Sequence, residues 1–502
     1  MTALVAACAG APVNSAAPHA KASPVAIAPQ RDWSDAVIYF VLLDRFADGD
    51  RSNAPALDRD NPGGWHGGDL AGLRMQLDEI ADLGVTAIWI NPVVRQVDTP
   101  QWASGPAGSS GADGFSHWPF HGYWADDFER LDPHFGTEAD LKALIDAAHA
   151  RGIKVLLDVV YNHVGYGAHY GSDPRKRDWV RVRPTECEID ALTCQVGGLP
   201  DLRTELPEVR EYLFDAQIGR ARRVGLDGFR LDTVKHVEHD FWQAHRARTR
   251  AELGDDFFLL GEVWGGSAES LDPWFEPDEM DAGFDFTFKG SCEAYVAGKG
   301  RTVAFAAYLA KRHRVRSNHH LVHYLSSHDE PMALSDLGGD VSRFALCVAL
   351  QMTSVGIPMV YYGEEVGRSG GAWPENRNDM PWGRRDVQPG KGVDRDEALR
   401  AWYQSLIATR RAHPALQRGT FRALATDGDL LVFERADAES GDAVVVAVNR
   451  GSTDAATGVA LPAHWKGATV REALSGAKAE VHDGTLSVAV PARTAQVYAS
   501  GR

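Results

Sequence analysis

The sequence predicts an α/β protein: a (β/α)8 TIM barrel with a small excursion domain after the third strand and a C-terminal antiparallel β-sandwich domain. Three observations carry this expectation. Eight short apolar runs alternate with helix-period patterns over about 350 residues, the order that builds a parallel barrel. Four of those runs end in clusters of Asp, Glu and His. After Ala412 the helical period gives way to short alternating strands.

The strand-like runs are, in order, Ala36 to Leu43, Val85 to Asn91, Ile153 to Val160, and Leu226 to Leu231. Phe257 to Gly261, Gly283 to Phe288, Leu321 to Leu325 and Ile357 to Tyr362 complete the eight. A strand covered on both faces reads apolar throughout, as these do. Leu70 to Leu83 and Thr137 to Arg151 have helical spacing, and Thr137 with Asp140 makes a capping pattern at the start of the second. Arg95 to Phe120, rich in Gly, Ser and aromatics, is expected to be a rim loop. Tyr161 to Val209 is far longer than an ordinary βα connection and is expected to form the excursion. The expected organisation is therefore a disordered segment over 1–30, the barrel over 31–160 and 210–412, the excursion over 161–209, and the β domain over 413–502, where Leu430 to Phe433 and Ala443 to Val448 read as strands.

A formal net charge of −17 argues against nucleic acid, which demands a basic surface, and disfavours an anionic substrate. A neutral ligand bound by carboxylates and aromatics fits better, and 14 Trp supply stacking surface. No run of about 18 apolar residues suggests a transmembrane segment. Five Cys are too few for a disulfide scaffold. Cys187 and Cys194, close together in a polar stretch, are candidates to pair, the alternative being two free thiols; pairing fits an oxidising compartment. Leu4-Val5-Ala6-Ala7-Cys8 resembles a bacterial lipoprotein cleavage box, without the usual basic start or full apolar segment. The expectation is an exported protein, periplasmic or anchored to the outer membrane through a lipid on Cys8.

The polar clusters carry the chemistry. They are Asp158-Val159-Val160-Tyr161-Asn162-His163, Gly228-Phe229-Arg230-Leu231-Asp232, Gly261-Glu262-Val263-Trp264 and Ser326-Ser327-His328-Asp329. A carboxylate at the end of a buried strand is costly unless a site uses it. Arg230 and Asp232, two apart on a strand, share a face, and the guanidinium favours an ionised, nucleophilic carboxylate. Glu262 follows an apolar run, surroundings that favour a protonated proton donor. One ionised and one protonated carboxyl is what glycosidic bond cleavage requires.

In combination these clusters resemble the four signature regions of the α-amylase family, glycoside hydrolase family thirteen, from about Val37 to Trp382. The resemblance implies Asp232 as nucleophile, Glu262 as general acid/base, and Asp329 as the carboxylate that fixes ring hydroxyls and stabilises the transition state. It places Asp158, His163, Arg230 and His328 around the sugar at the cleavage point, Tyr123 beneath it as a platform, and Lys235 and His236 toward the leaving group. A catalytically dead, sugar-binding relative is the rival of another class, and the presence of all three acids argues against it. The resemblance further implies Ca2+ at Asn162, Asp201 and the carbonyl of His236. Asp48, Asp50 and Asn53 with Gly67 and Asp69 are similar to a second, N-terminal calcium loop, where Ala54 replaces a usual ligand. Oxygen-only donor sets of this kind suit Ca2+.

Thr233 after the expected nucleophile resembles α-1,4-acting members. Ser327 before His328-Asp329, with Asn376, Arg377, Met380 and Trp382, is similar to the cyclomaltodextrinase and neopullulanase branch. Trp373 occupies the position, four before Arg377, where the family often has an Asp that holds a sugar on the non-reducing side; an indole there stacks on a sugar or blocks the cleft. The expected function is a retaining α-1,4-glucan hydrolase acting on starch-derived maltodextrins. The alternative is a transglycosylase of the cyclodextrin glucanotransferase kind, or a cyclomaltodextrinase, using the same residues.

Overall fold

Eight short strands, buried almost throughout, close a parallel barrel: β1 (Ile38–Val41), β2 (Ala87–Ile90), β3 (Lys154–Val159), β4 (Gly228–Leu231), β5 (Phe258–Gly261), β6 (Ala282–Phe284), β7 (His320–Tyr324) and β8 (Ile357–Tyr361). Each pairs with the next and β8 returns to β1. The structure is a computed structural model and describes residues 33–501 apart from 54, 55, 109, 110 and 182. The expected export segment with Cys8, and the Ala54 position, lie outside the described residues. Among the described residues no helix is long and apolar enough to cross a membrane.

Sequence patterns and elements agree except at three places. The helical pattern from Leu70 is two helices, Leu70–Met75 and Leu77–Leu83, which hinge at Gln76, whose backbone leaves the helical region (φ −100°, ψ 9°). β6 stops at Phe284 rather than Phe288: Asp285 accepts the backbone N–H and hydroxyl of Thr287, and the turn so made opens a helix, Phe288–Val296. The insertion read as a rim loop contains a hairpin, Gln101–Ala103 against Phe115–His117, with Phe115 and His117 buried on one face. The helix Glu138–His149 begins with the capping box expected of Thr137 and Asp140.

Register brings the site together. Asp158 of β3 lies beside Arg230 of β4, and Arg230 beside Leu260 of β5. Between Tyr161 and Leu206 helical structure is confined to short 3-10 turns, and the loop there is closed by a Cys187–Cys194 disulfide with the Cα atoms 4.9 Å apart. Beyond the helix Glu397–Ala412, a five-stranded and a three-stranded antiparallel sheet follow. Period-two alternation divides the larger sheet: Leu431, Phe433, Val444 and Val446 join the barrel's apolar core, while Leu430, Val432, Val445 and Ala447 face the smaller sheet.

Candidate active site

The C-terminal ends of β4, β5 and β7 deliver Asp232, Glu262 and Asp329 to one cleft of about 450 Å3, also lined by Tyr123, His163 and His328, while Asp158 of β3 is buried and meets it through Arg230 and Tyr123. Arg230, buried at the end of β4, organises it. Its Nη1 donates to Asp158 Oδ1 at 3.1 Å and to Asp232 Oδ1 at 2.7 Å, and its Nη2 reaches Glu262 Oε1 at 2.6 Å. One planar guanidinium thus spans the two acids expected to do the chemistry.

Their environments differ. Burial, with the charges of Asp232 and Asp329 added, pushes Glu262 up to about 8, although Arg230 opposes it. The guanidinium is shared with Asp158 and Asp232, so it does not repay Glu262's desolvation in full. Burial also pushes Asp158 up to about 7 against the pull of Arg230. Asp329 goes the other way: burial raises it, but His328, Arg377 and Arg230 outweigh that and hold its carboxyl below the usual range. His328 Nε2 and Arg377 Nη2 each lie 3.3 Å from an Asp329 oxygen. Thr233 sits in the left-handed region (φ 49°), a costly conformation for a β-branched residue, and thereby aims its N–H at Glu262 Oε2, 3.0 Å away.

The other expected sugar contacts divide. Tyr123 donates its hydroxyl to Asp158 Oδ2 at 2.7 Å, and its ring lies parallel to that of His328 at 5.3 Å. His163 Nε2 is 3.2 Å from the Tyr123 carbonyl. Arg377 and Trp373 line the cleft. Lys235 and His236 lie on the turn Val234–His236, where His236 faces the excursion, its Nδ1 2.8 Å from the carbonyl oxygen of Ala191. Five cleft residues had not been anticipated: His117, His121, Trp124, Leu199 and Trp264. His121 and Trp264 belong to the very clusters that carry Tyr123 and Glu262; for His117 only the hairpin's period-two pattern holds a signal.

The two calcium positions expected from the resemblance differ in fit. At the excursion junction Asp201 is already charge-matched by Arg181, whose Nε lies 2.7 Å from Asp201 Oδ2 and whose Nη2 reaches Glu205 at 3.0 Å. Asn162 contacts the His163 ring at 3.4 Å. A cation there would have to displace the guanidinium, so this arrangement does not suit one. In the N-terminal loop, Asp48 Oδ1 and Asn53 Oδ1 are enclosed oxygens without a protein partner, while Asp48 Oδ2 pairs with Arg59 Nη2 at 3.0 Å. Asp69 is held by the N–H groups of Gly49, Asp50 and Gly72 and the Asn53 amide, while Asp50 turns out to Ser52. Two orphaned oxygens fit a hard cation, although among the described residues no three His, Cys, Asp or Glu side chains are grouped so as to hold a metal ion.

Comparison with known proteins agrees with this geometry. The description "Alpha amylase, catalytic domain" matches residues 40–408. A cyclomaltodextrinase of Geobacillus thermopakistaniensis is 30% identical over 93% of this chain and 77% of its own length. The structure of an α-amylase from Geobacillus thermoleovorans complexed with acarbose superposes with a TM-score of 0.78 at 30% identity, covering 94% of this chain and 100% of that one. A cyclomaltodextrin glucanotransferase with a three-domain ABC distribution superposes with a TM-score of 0.77 at 26% identity, covering 93% and 99%. With the acids, their shared arginine and the barrel in agreement, the chain belongs to the α-amylase family of glycoside hydrolases.

Proposed function

We propose that this enzyme is a retaining α-1,4-glucan hydrolase that cleaves starch-derived maltodextrins by double displacement. Asp232 attacks the anomeric carbon as Glu262 protonates the departing oxygen; water, deprotonated by Glu262, then attacks the glycosyl-enzyme and releases Asp232. Asp329 steadies the ring hydroxyls and the developing positive charge, and Tyr123 supplies the flat surface beneath the sugar. The observation that carries the reading is the bridging of Asp232 and Glu262 by Arg230 while burial keeps Glu262 protonated. Proton NMR of maltoheptaose digestion tests it: the α-anomer is released first, and an initial β-anomer rules out double displacement.

A second reading, transfer to another sugar or opening of cyclodextrins, is supported by the cyclodextrin-acting relative and the three-domain glucanotransferase. Product analysis on maltoheptaose and β-cyclodextrin side by side separates the two. Calcium, if held, belongs in the Asp48–Asp69 loop, where its role is to fix the turn leading into the helix capped by Asp69. The Cys187–Cys194 bridge supports export to an oxidising compartment. Lipidation of Cys8 extends that reading, and mass spectrometry of the mature N-terminus checks it.

A further inference from the structure

The cleft has two chemically different ends. Trp264, two residues beyond the proton donor, marks one end and packs on Phe286 at 4.9 Å. A proton donor faces the leaving-group oxygen, so that end takes the departing sugars. The other end lies beyond Arg377 and Asp329, and there the hairpin Gln101–Ala103/Phe115–His117 meets Trp373. Phe115 and His117, both on the hairpin's buried face, lie 5.1 Å from the Trp373 ring, and His117 lies 5.0 Å from His121.

Both imidazoles carry an enclosed nitrogen, Nε2, with no protein partner. His121 Nδ1 accepts the N–H of Tyr123 at 3.1 Å, so its Nε2 bears the proton and is a donor. Burial, with the cations Arg377 and Arg45 adding, pushes His117 down to about 3, so its ring is neutral and offers hydrogen bonds, not charge. Buried polar atoms without a partner are rare and are retained where something else meets them. A neutral hydrogen-bonding ring beside a flat indole matches a sugar, which presents hydroxyls at its edge and C–H groups on its face.

We infer that His117 is a specificity-determining residue: its Nε2 hydrogen-bonds a hydroxyl of the second glucose on the non-reducing side, stacked against Trp373, and the hairpin behind it ends the cleft there. This rests on the glucan-cleaving reading. The wall closes that end of the cleft and keeps the released product short.

The test compares α-maltosyl fluoride, which occupies the cleavage site and the second site, with α-glucosyl fluoride, which occupies the cleavage site alone. His117→Ala lowers the ratio of kcat/KM (maltosyl over glucosyl) about tenfold, the loss expected for one hydrogen bond with its partner left unmet. His117→Gln, whose amide can reach the same hydroxyl, restores much of that ratio, and it is the variant to read should the alanine form not fold. On maltoheptaose the alanine form releases longer products. A ratio and product pattern matching the wild type in both variants overturn the inference, as does an equal loss on the two fluorides, which assigns His117 to the cleavage site. Wild-type enzyme that turns over neither fluoride overturns the glucan-cleaving reading and this inference with it.

Discussion

Glu262 owes its raised carboxyl to a conflict between burial and a shared arginine, and that conflict has measurable consequences. In the proposed role of proton donor it is competent only while protonated, so kcat/KM on maltoheptaose declines as pH rises through about 8. Glu262→Gln removes the proton and lowers kcat by about 10²–10⁴-fold while the variant still binds substrate; undiminished turnover would reassign the acid. The same residue acts on stability. Its folded value lies above the carboxylate's unfolded value of about 4.3, so the folded state binds the extra proton. The stability it contributes is therefore full below about pH 4.3 and lost as pH rises through about 8. The glutamine form, neutral throughout, lacks that loss, so its melting temperature gains on the wild type's as pH rises from about 4.3 to about 8. Asp232, Glu262 and Asp329 were legible because a carboxylate closing a buried strand has few structural excuses. His117 was not: nothing in its neighbours distinguishes it until the hairpin folds it against Trp373.

At the scale of elements, strands and helices followed from apolar period, and misreadings came where a single side chain or dihedral decides a boundary. Asp285 ends β6 by capturing Thr287, and Gln76 divides a helix whose apolar spacing runs on unbroken. The excursion was legible as an insertion but not in form, since its structure rests on pairings that period does not record. Arg181 is the clearest of these: it binds Asp201, whose carboxyl burial pushes up to about 7 even so. Arg181→Ala leaves that carboxylate buried and uncompensated, at a cost of about 3 kcal/mol in urea unfolding. Arg181→Ala also vacates the oxygens at the junction, so millimolar Ca2+ raises its melting temperature at this site. In the N-terminal loop the proposed calcium rests on the unpartnered oxygens of Asp48 and Asn53. EGTA lowers the wild-type melting temperature, and Asn53→Ala abolishes that response; a wild type indifferent to EGTA removes calcium from this loop.

Over the whole molecule, the C-terminal sheets are bound to the barrel by one side of a two-faced sheet. Phe433 lies in the apolar cluster continuous with the barrel and packs against Phe421, the tilted ring centroids 5.1 Å apart. Arg435, two residues on, is buried on the same side and donates to the carbonyls of Thr353 and Gly419, which meets its polar groups without a counter-ion. The alternation of β-branched residues foretold a sheet here, but alternation alone does not say which of two apolar faces meets the barrel; both read alike, and only the packing distinguishes them. The described barrel and sheets form one compact unit, so loosening the contact should be felt at the active site some distance away. Phe433→Ala removes a wholly buried ring at a cost of about 3–5 kcal/mol. If the unit is cooperative, residual activity on maltoheptaose and tryptophan fluorescence lose amplitude at the same lowered temperature. Activity that melts at the wild-type temperature while fluorescence shifts would show that the sheets unfold on their own and leave the barrel standing.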